Sequence, residues 1–376
     1  MQKIIPSLVF ATLTSSASAA WAWPTAQISG VTYAGPQVQG YAWKDQGGGA
    51  WTKWNSIAYR DSNVGDLKIA RRSASSASPT WSAWSLETID SAANDVGNGA
   101  SIALDADGVE YVSYVDSTGE RLKVARRVGG GAGTCFAGSN WDCDTLVFGD
   151  VTDQTAIGLT YDAATLQYTV HVIFVKEAAG VYDLWYARKI GTGSWTTAWI
   201  REANSISLAP DALAFTSGNL PRVAYGESLE GIRLSAFVGP AQGNWTTSTI
   251  DANGAGPASL AIRSFVQNIA YRNPATGALR FAALNIFSGS FVLSTVTSSA
   301  SRISLALDDD LDPHISFQEG GAAKRAVRKS GTWTIDTADA SAAGYGTSIK
   351  IDTQLATDKA LVSHTDGFGH VKVSAE

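Results

Sequence analysis

Apolar and polar positions along this chain alternate with a period of two, the spacing of strands that bury one face. One phrase of this kind recurs: a β-branched residue, a small residue, an aromatic, any residue, then usually a carboxylate or amide. The aromatic anchors are Tyr59, Tyr114, Phe174, Tyr225, Tyr271 and Phe317, with His364 in the last copy, and they are spaced 55, 60, 51, 46, 46 and 47 residues apart. Two positions before each anchor stand Ile57, Val112, Val172, Val223, Ile269, Ile315 and Val362, all β-branched. The position between is small in six of the seven copies.

A second phrase, apolar, basic, apolar, small, follows within seven or eight residues in most copies, as in Leu67-Lys68-Ile69-Ala70 and Leu122-Lys123-Val124-Ala125. Turn formers such as Asp61-Ser62-Asn63 and Asp116-Ser117-Thr118-Gly119 separate the two phrases, so each pair predicts a β-hairpin. Further strands are expected before each hairpin, for example at residues 101–104 and 303–307, and after it, often opened by Gly and Trp. Four antiparallel strands repeated seven times predict an all-β, seven-bladed propeller of about 51 residues per blade. The seventh unit stops after its third strand, and residues 26–33 are expected to supply its missing outer strand and close the ring.

The repeat resembles the secreted bacterial propeller units of the sialidase-like, Asp-box type: an Asp-rich turn, a strand ending in Tyr-x-Asp, a strand reading Leu-Lys-x-Ala, then Gly-x-Trp at Trp195, Trp245 and Trp333. The resemblance spans nearly the whole chain after residue 19 and implies the propeller architecture. It does not imply an activity, because propellers host lectins, hydrolases, lyases and scaffolds alike. The Arg-Ile-Pro motif that begins the arginine triad of true sialidases does not occur.

Composition narrows the setting. Lys plus Arg number 28 against 34 Asp plus Glu, a formal net charge of −6 with no basic block, which argues against a nucleic-acid partner. Residues 1–19 read as a secretory signal, with Lys3, a short apolar run and an Ala17-Ser18-Ala19 cleavage site, leaving residues 20–376 as one domain. No later apolar run is long enough for a membrane helix, so a secreted protein, extracellular or periplasmic and without membrane insertion, is expected. Cys135 and Cys143 are expected to close one loop as a disulfide.

Candidate chemistry is sparse. A column of acids and amides ends the second strands (Asp61, Asp116, Glu227, Asn273, Glu319, Asp366), and a basic column faces it (Lys68, Lys123, Arg233, Arg280, Lys324, Lys372). Such carboxylates suit glycoside hydrolysis or Ca²⁺, but the matched columns favour cross-strand neutralisation. The third blade alone breaks the pattern, with Lys176 in the acidic column and Trp185 in the basic one. Asp-rich turns at residues 105–108 and 308–312 carry clustered oxygens that could hold Ca²⁺, but Asp and Gly are also what such turns need, so no metal or other cofactor is expected. The expected site therefore lies on the third blade, at Lys176, Tyr182, Trp185 and His171, on the face of the second-to-third strand turns, with Trp43 in the first blade as an aromatic platform. The reading is an extracellular ligand, most plausibly a glycan, bound without catalysis. A polysaccharide hydrolase or lyase and an adhesion protein recognising surface proteins stand as alternatives.

Overall fold

The computed structural model describes residues 23–376 apart from 29, 31–33, 92–94, 240–242, 342–343, 345 and 355–357. The export segment read at residues 1–19 lies outside the described residues. The chain enters with β1 (Thr25–Gln27). Blade 1 follows as β2 (Ala34–Gly47), β3 (Ala50–Asp61), β4 (Asp66–Ser75) and β5 (Ser85–Asp90). Blade 2 is β6 (Val96–Leu104), β7 (Glu110–Asp116), β8 (Arg121–Arg127) and β9 (Trp141–Phe148). Blade 3 is β10 (Val151–Asp162), β11 (Gln167–Ala178), β12 (Val181–Ile190) and β13 (Thr196–Ala203). Blade 4 is β14 (Leu213–Phe215), β15 (Pro221–Glu227), β16 (Gly231–Phe237) and β17 (Trp245–Asp251). Blade 5 is β18 (Ala255–Arg263), β19 (Val266–Arg272), β20 (Leu279–Asn285) and β21 (Ser290–Thr297). Blade 6 is β22 (Ser301–Leu307), β23 (Pro313–Glu319), β24 (Ala322–Lys329) and β25 (Thr332–Asp339). Blade 7 takes β26 (Thr347–Asp352), β27 (Lys359–Thr365), β28 (Val371–Ala375) and, as its outer strand, β1.

The protein is thus a seven-bladed propeller of four-stranded antiparallel sheets. The first strands of successive blades pack on one another around a central channel, and β26 returns to β2. Both recurring positions of the sequence phrase are core: all seven anchors are 0–2% exposed and all seven β-branched residues are fully buried. They fill the apolar layers between blades, where the small residue lets the neighbouring sheet approach. Near the channel the layers become polar. The hydroxyls of Ser101, Ser259, Ser304 and Ser348 each accept a hydrogen bond from a backbone N–H of the next blade, at Ile157, Leu305, Ile349 and Gln39 respectively. No helix among the described residues is long and apolar enough to cross a membrane.

The charged columns pair only partly within their own hairpins. Asp61 with Lys68, Glu227 with Arg233, Glu319 with Lys324 and Asp366 with Lys372 do so at 2.5–3.6 Å. In blades 2 and 5 the basic residue instead reaches backwards, Lys123 to Asp90 and Arg280 to Asp251, the aspartates that end the outer strands of the preceding blades. The same aspartates accept hydrogen bonds from the next blade's anchors, Tyr114 at 2.7 Å and Tyr271 at 2.6 Å. Lys372 likewise spans to Asp339 at the end of β25, beside His364.

Candidate functional site

The blades differ mainly on one face, that of the first-to-second and third-to-fourth strand turns. Blade 1 extends its β2–β3 hairpin there, blade 2 carries the long β8–β9 connection, and blade 3 extends β10 and β11. The wider anchor spacings of 55, 60 and 51 residues follow the anchors of these three blades, and the long β4–β5 and β8–β9 connections on this face lie within the first two. The turn at residues 105–108 joins the elaborations. Lys44 of blade 1 pairs with Asp107 at 2.5 Å, and Tyr168 Oη of blade 3 accepts from Ala106 N at 3.0 Å. Trp54 lies so close to Gly108 (φ +74°) that a Cβ there would meet the indole at 2.2 Å. Asp105 Oδ1 accepts from the Asp107 and Val109 amides, so its carboxylate shapes the turn. Among the described residues no group of three His, Cys, Asp or Glu side chains is placed to hold a metal ion.

Between blades 2 and 3 this face opens into a groove of about 530 Å³. Blade 3 contributes Tyr168, Lys189 and Trp195, and blade 2 contributes Arg126, Asp142 and Asp144. Asp144 Oδ2 accepts from both Lys189 Nζ at 2.7 Å and Trp195 Nε1 at 2.9 Å. Burial pushes the Asp144 carboxyl up, but these two donors outweigh it and hold it below its ordinary range. Arg126 Nε donates to Tyr111 Oη at 3.0 Å, fixing one edge of the guanidinium. The Cys135–Cys143 disulfide is formed, and Asp142 and Asp144 flank its second cysteine. The Cys143 N–H also donates to Thr134 Oγ1, so this groove wall is tied at several points.

The residues singled out from the sequence are spread around blade 3 and beyond. His171 is 4% exposed between blades 3 and 4, with Nε2 2.8 Å from Thr160 Oγ1 and Nδ1 2.7 Å from Tyr186 Oη. Tyr182 is half-buried on the same side of the blade, against the layer shared with blade 4. Trp185 points to the other side, stacked on Phe174 at 6.4 Å within the apolar layer that also receives Trp195. Lys176 is half-buried near the β11–β12 turn, on the opposite face from the groove, and forms no ion pair among the described residues. Trp43 is 39% exposed near the tip of the blade 1 hairpin. The groove residues escaped the sequence reading because Asp142 and Asp144 meet Lys189 and Trp195 only across a blade boundary.

A second and larger cavity, about 690 Å³, lies at the channel mouth on the face of the second-to-third strand turns. Its walls come from blades 1, 4, 5, 6 and 7, and Arg272, Arg302, Gln318 and Glu319 line it.

No protein-family model matches the sequence, and a search of curated proteins returns no match. Solved structures do match. A fungal lectin of Aleuria aurantia, described as a six-bladed β-propeller with a novel fucose recognition mode, aligns over 82% of this chain and 96% of its own at 16% identity and TM-score 0.52. AofleA from Arthrobotrys oligospora, in a mutant form with three arginines replaced by alanine, aligns over 84% and 89% at 11% identity and TM-score 0.52. A leech intramolecular trans-sialidase aligns over 95% and 70% at 10% identity and TM-score 0.47. The two likenesses at 0.52 establish the propeller fold.

Proposed function

We propose that the protein is an exported, glycan-binding propeller of the sialidase-like repeat type that does not transform its ligand. The sugar would sit in the groove between blades 2 and 3. The observation that carries this reading is the convergence there of Trp195 and Tyr168 with the planar polar groups of Arg126 and Asp142. Sugar rings offer apolar C–H faces that stack on aromatics and hydroxyls that bond carboxylates and guanidinium groups, and this groove supplies both kinds of partner. Asp142 makes no hydrogen bond or ion pair among the described residues, so its oxygens are available to hydroxyls. Asp144 is ionised at neutral pH and cannot serve as the protonated carboxyl that glycoside hydrolysis needs. The fucose recognition described for the Aleuria aurantia lectin adds support from a protein of similar fold.

A second reading keeps the contacts on the opposite face, at Lys176 and Tyr182 with Trp185 beneath, and with His171 and Trp43 as further contributors. It is favoured by Lys176, the member of the acidic column that became basic.

Glycan-array screening followed by calorimetry on the hit separates these readings. Trp195→Ala and Asp142→Asn should each weaken binding at least tenfold, about 1.4 kcal/mol or more, and Asp142→Asn should do so with little change in Tm. Loss of binding in Lys176→Ala or Tyr182→Ala instead moves the site to the other face. Release of new reducing ends from a bound polysaccharide would replace the binding protein with an enzyme, and capture of a surface protein with no glycan bound would favour adhesion.

A further inference from the structure

We propose that the channel mouth on the face of the second-to-third strand turns is a separate site for a carboxylate-bearing ligand, gripped by Arg272 and Arg302. Both arginines line one cavity, and neither side chain makes a hydrogen bond or ion pair among the described residues. Elsewhere arginines are heavily partnered: Arg201 and Arg233 share Glu227, and Arg325 holds both Asp336 and Glu376. Arg72 also lacks a hydrogen-bonded partner but is sandwiched by Trp81 and Trp84, whereas Arg272 and Arg302 share one cavity in a chain of net charge −6.

The backbone makes the same point independently. Several first strands enter the sheet through a bulge, with register shifts at Asn98/Ser101, Ala255/Ala258 and Ser301/Ser304. The left-handed residue of these bulges is Gly99 (φ 59°) in blade 2 and Gly256 (φ 80°) in blade 5, but Arg302 (φ 57°) in blade 6. A residue with a Cβ is disfavoured in that conformation, which glycine adopts freely. Arg302 precedes Ser304 by two residues as Gly99 precedes Ser101, so blade 6 accepts strain where blade 2 uses glycine, and it places Arg302 in the wall of the cavity.

The rest of the wall suits an anion. Glu319 is the acidic side chain there, and its oxygens are occupied by Lys324 at 2.5 Å and Thr297 Oγ1 at 2.8 Å. Gln318 also lines the cavity, and its Nε2 is buried without an acceptor, a donor that an incoming oxygen would satisfy. A carboxylate matches the planar guanidinium fork and can take two parallel hydrogen bonds from it. The cavity volume is that of a small-ligand site. Both the uronate end of an acidic polysaccharide and a free organic acid present this chemistry.

Calorimetry on the full chain with trigalacturonate, neutral maltotriose and succinate tests the site. Trigalacturonate should bind, maltotriose should not bind at this cavity, and Arg302→Gly and Arg272→Ala should each weaken acid binding at least tenfold. Because glycine takes φ 57° freely, Arg302→Gly should fold with an unchanged or raised Tm, so its loss of affinity cannot be ascribed to misfolding. Succinate binding that is lost in the same variants keeps the carboxylate site and makes a free acid its ligand. Failure of both acids to bind, or binding that survives the double arginine variant, overturns the proposal. Acid binding lost in Trp195→Ala but not in Arg302→Gly also overturns it, by assigning that ligand to the groove.

Discussion

Burial holds His171 neutral, its pKa pushed down to about 3 by loss of water, with the Arg188 guanidinium adding to the effect. His314 and His364 are also lowered by burial, even though Asp308 beside the first and Asp339 beside the second pull the other way. A histidine whose folded pKa lies below its unfolded value takes up a proton first in the unfolded chain. Its contribution to stability is complete above about pH 6.5 and is lost as the pH falls towards the folded value. Each such group adds a slope of up to about 1.4 kcal/mol per pH unit. Urea midpoints should therefore fall steadily from pH 6.5 to pH 5, and His171→Leu should flatten that slope even if it is less stable at pH 7. A midpoint independent of pH across this window would show that the folded and unfolded chains take up protons equally, and that burial does not hold these histidines neutral.

At the scale of elements, the bond between one blade's outer strand and the next blade's anchor is the testable unit. Tyr271→Phe removes one charge-assisted hydrogen bond to Asp251 and should cost about 1.5–3 kcal/mol. Asp90→Ala should cost more, about 3–5 kcal/mol, because it strands the Lys123 ammonium and the Tyr114 hydroxyl together in a buried layer. Equilibrium denaturation measures both, and equal, small losses would mean that the blades are held by apolar packing alone. These contacts show what could be read in advance. The hairpins were legible because anchor and basic phrase lie within a few residues and each obeys a period of two. Asp90 and Tyr114 are 24 positions apart in different blades, so their pairing was hidden until the sheets were stacked. The groove was hidden for the same reason, although the widest anchor spacing, 60 residues from Tyr114 to Phe174, spans the two blades that build it. Trp185 stood out as a broken repeat, and its indole does fill an inter-blade layer next to the groove.

At the scale of the molecule, blade 7 differs from the rest because its two outermost strands come from opposite ends of the chain: its outer strand is β1, held to β28 by pairing rather than by a turn. β1 pairs Thr25, Ala26 and Gln27 with Ser374, Val373 and Lys372, and Ile28 N donates to Val371 O at 2.8 Å. Thr25 Oγ1 lies 2.7 Å from Ser374 Oγ, and Trp23 receives the Arg325 guanidinium on its ring at 4.5 Å. Ile28 is fully buried in the layer that joins Val371 and Val373 of blade 7 to Ile57, Tyr59 and Ala70 of blade 1. Removing residues 23–28 would withdraw that side chain, worth about 2–3 kcal/mol, and leave β28 as a bare sheet edge. The truncated chain should then melt at lower temperature and associate through the freed edge, with a Tm that depends on protein concentration. A synthetic peptide spanning residues 23–28 should restore both the Tm and the monomeric state by re-forming the outer strand. If truncation leaves stability and association unchanged, the ring is held by the other six boundaries and the strand exchange is dispensable. The expected result is the opposite, because loss of β1 frees the β28 edge and uncovers part of the layer between blades 7 and 1 at once.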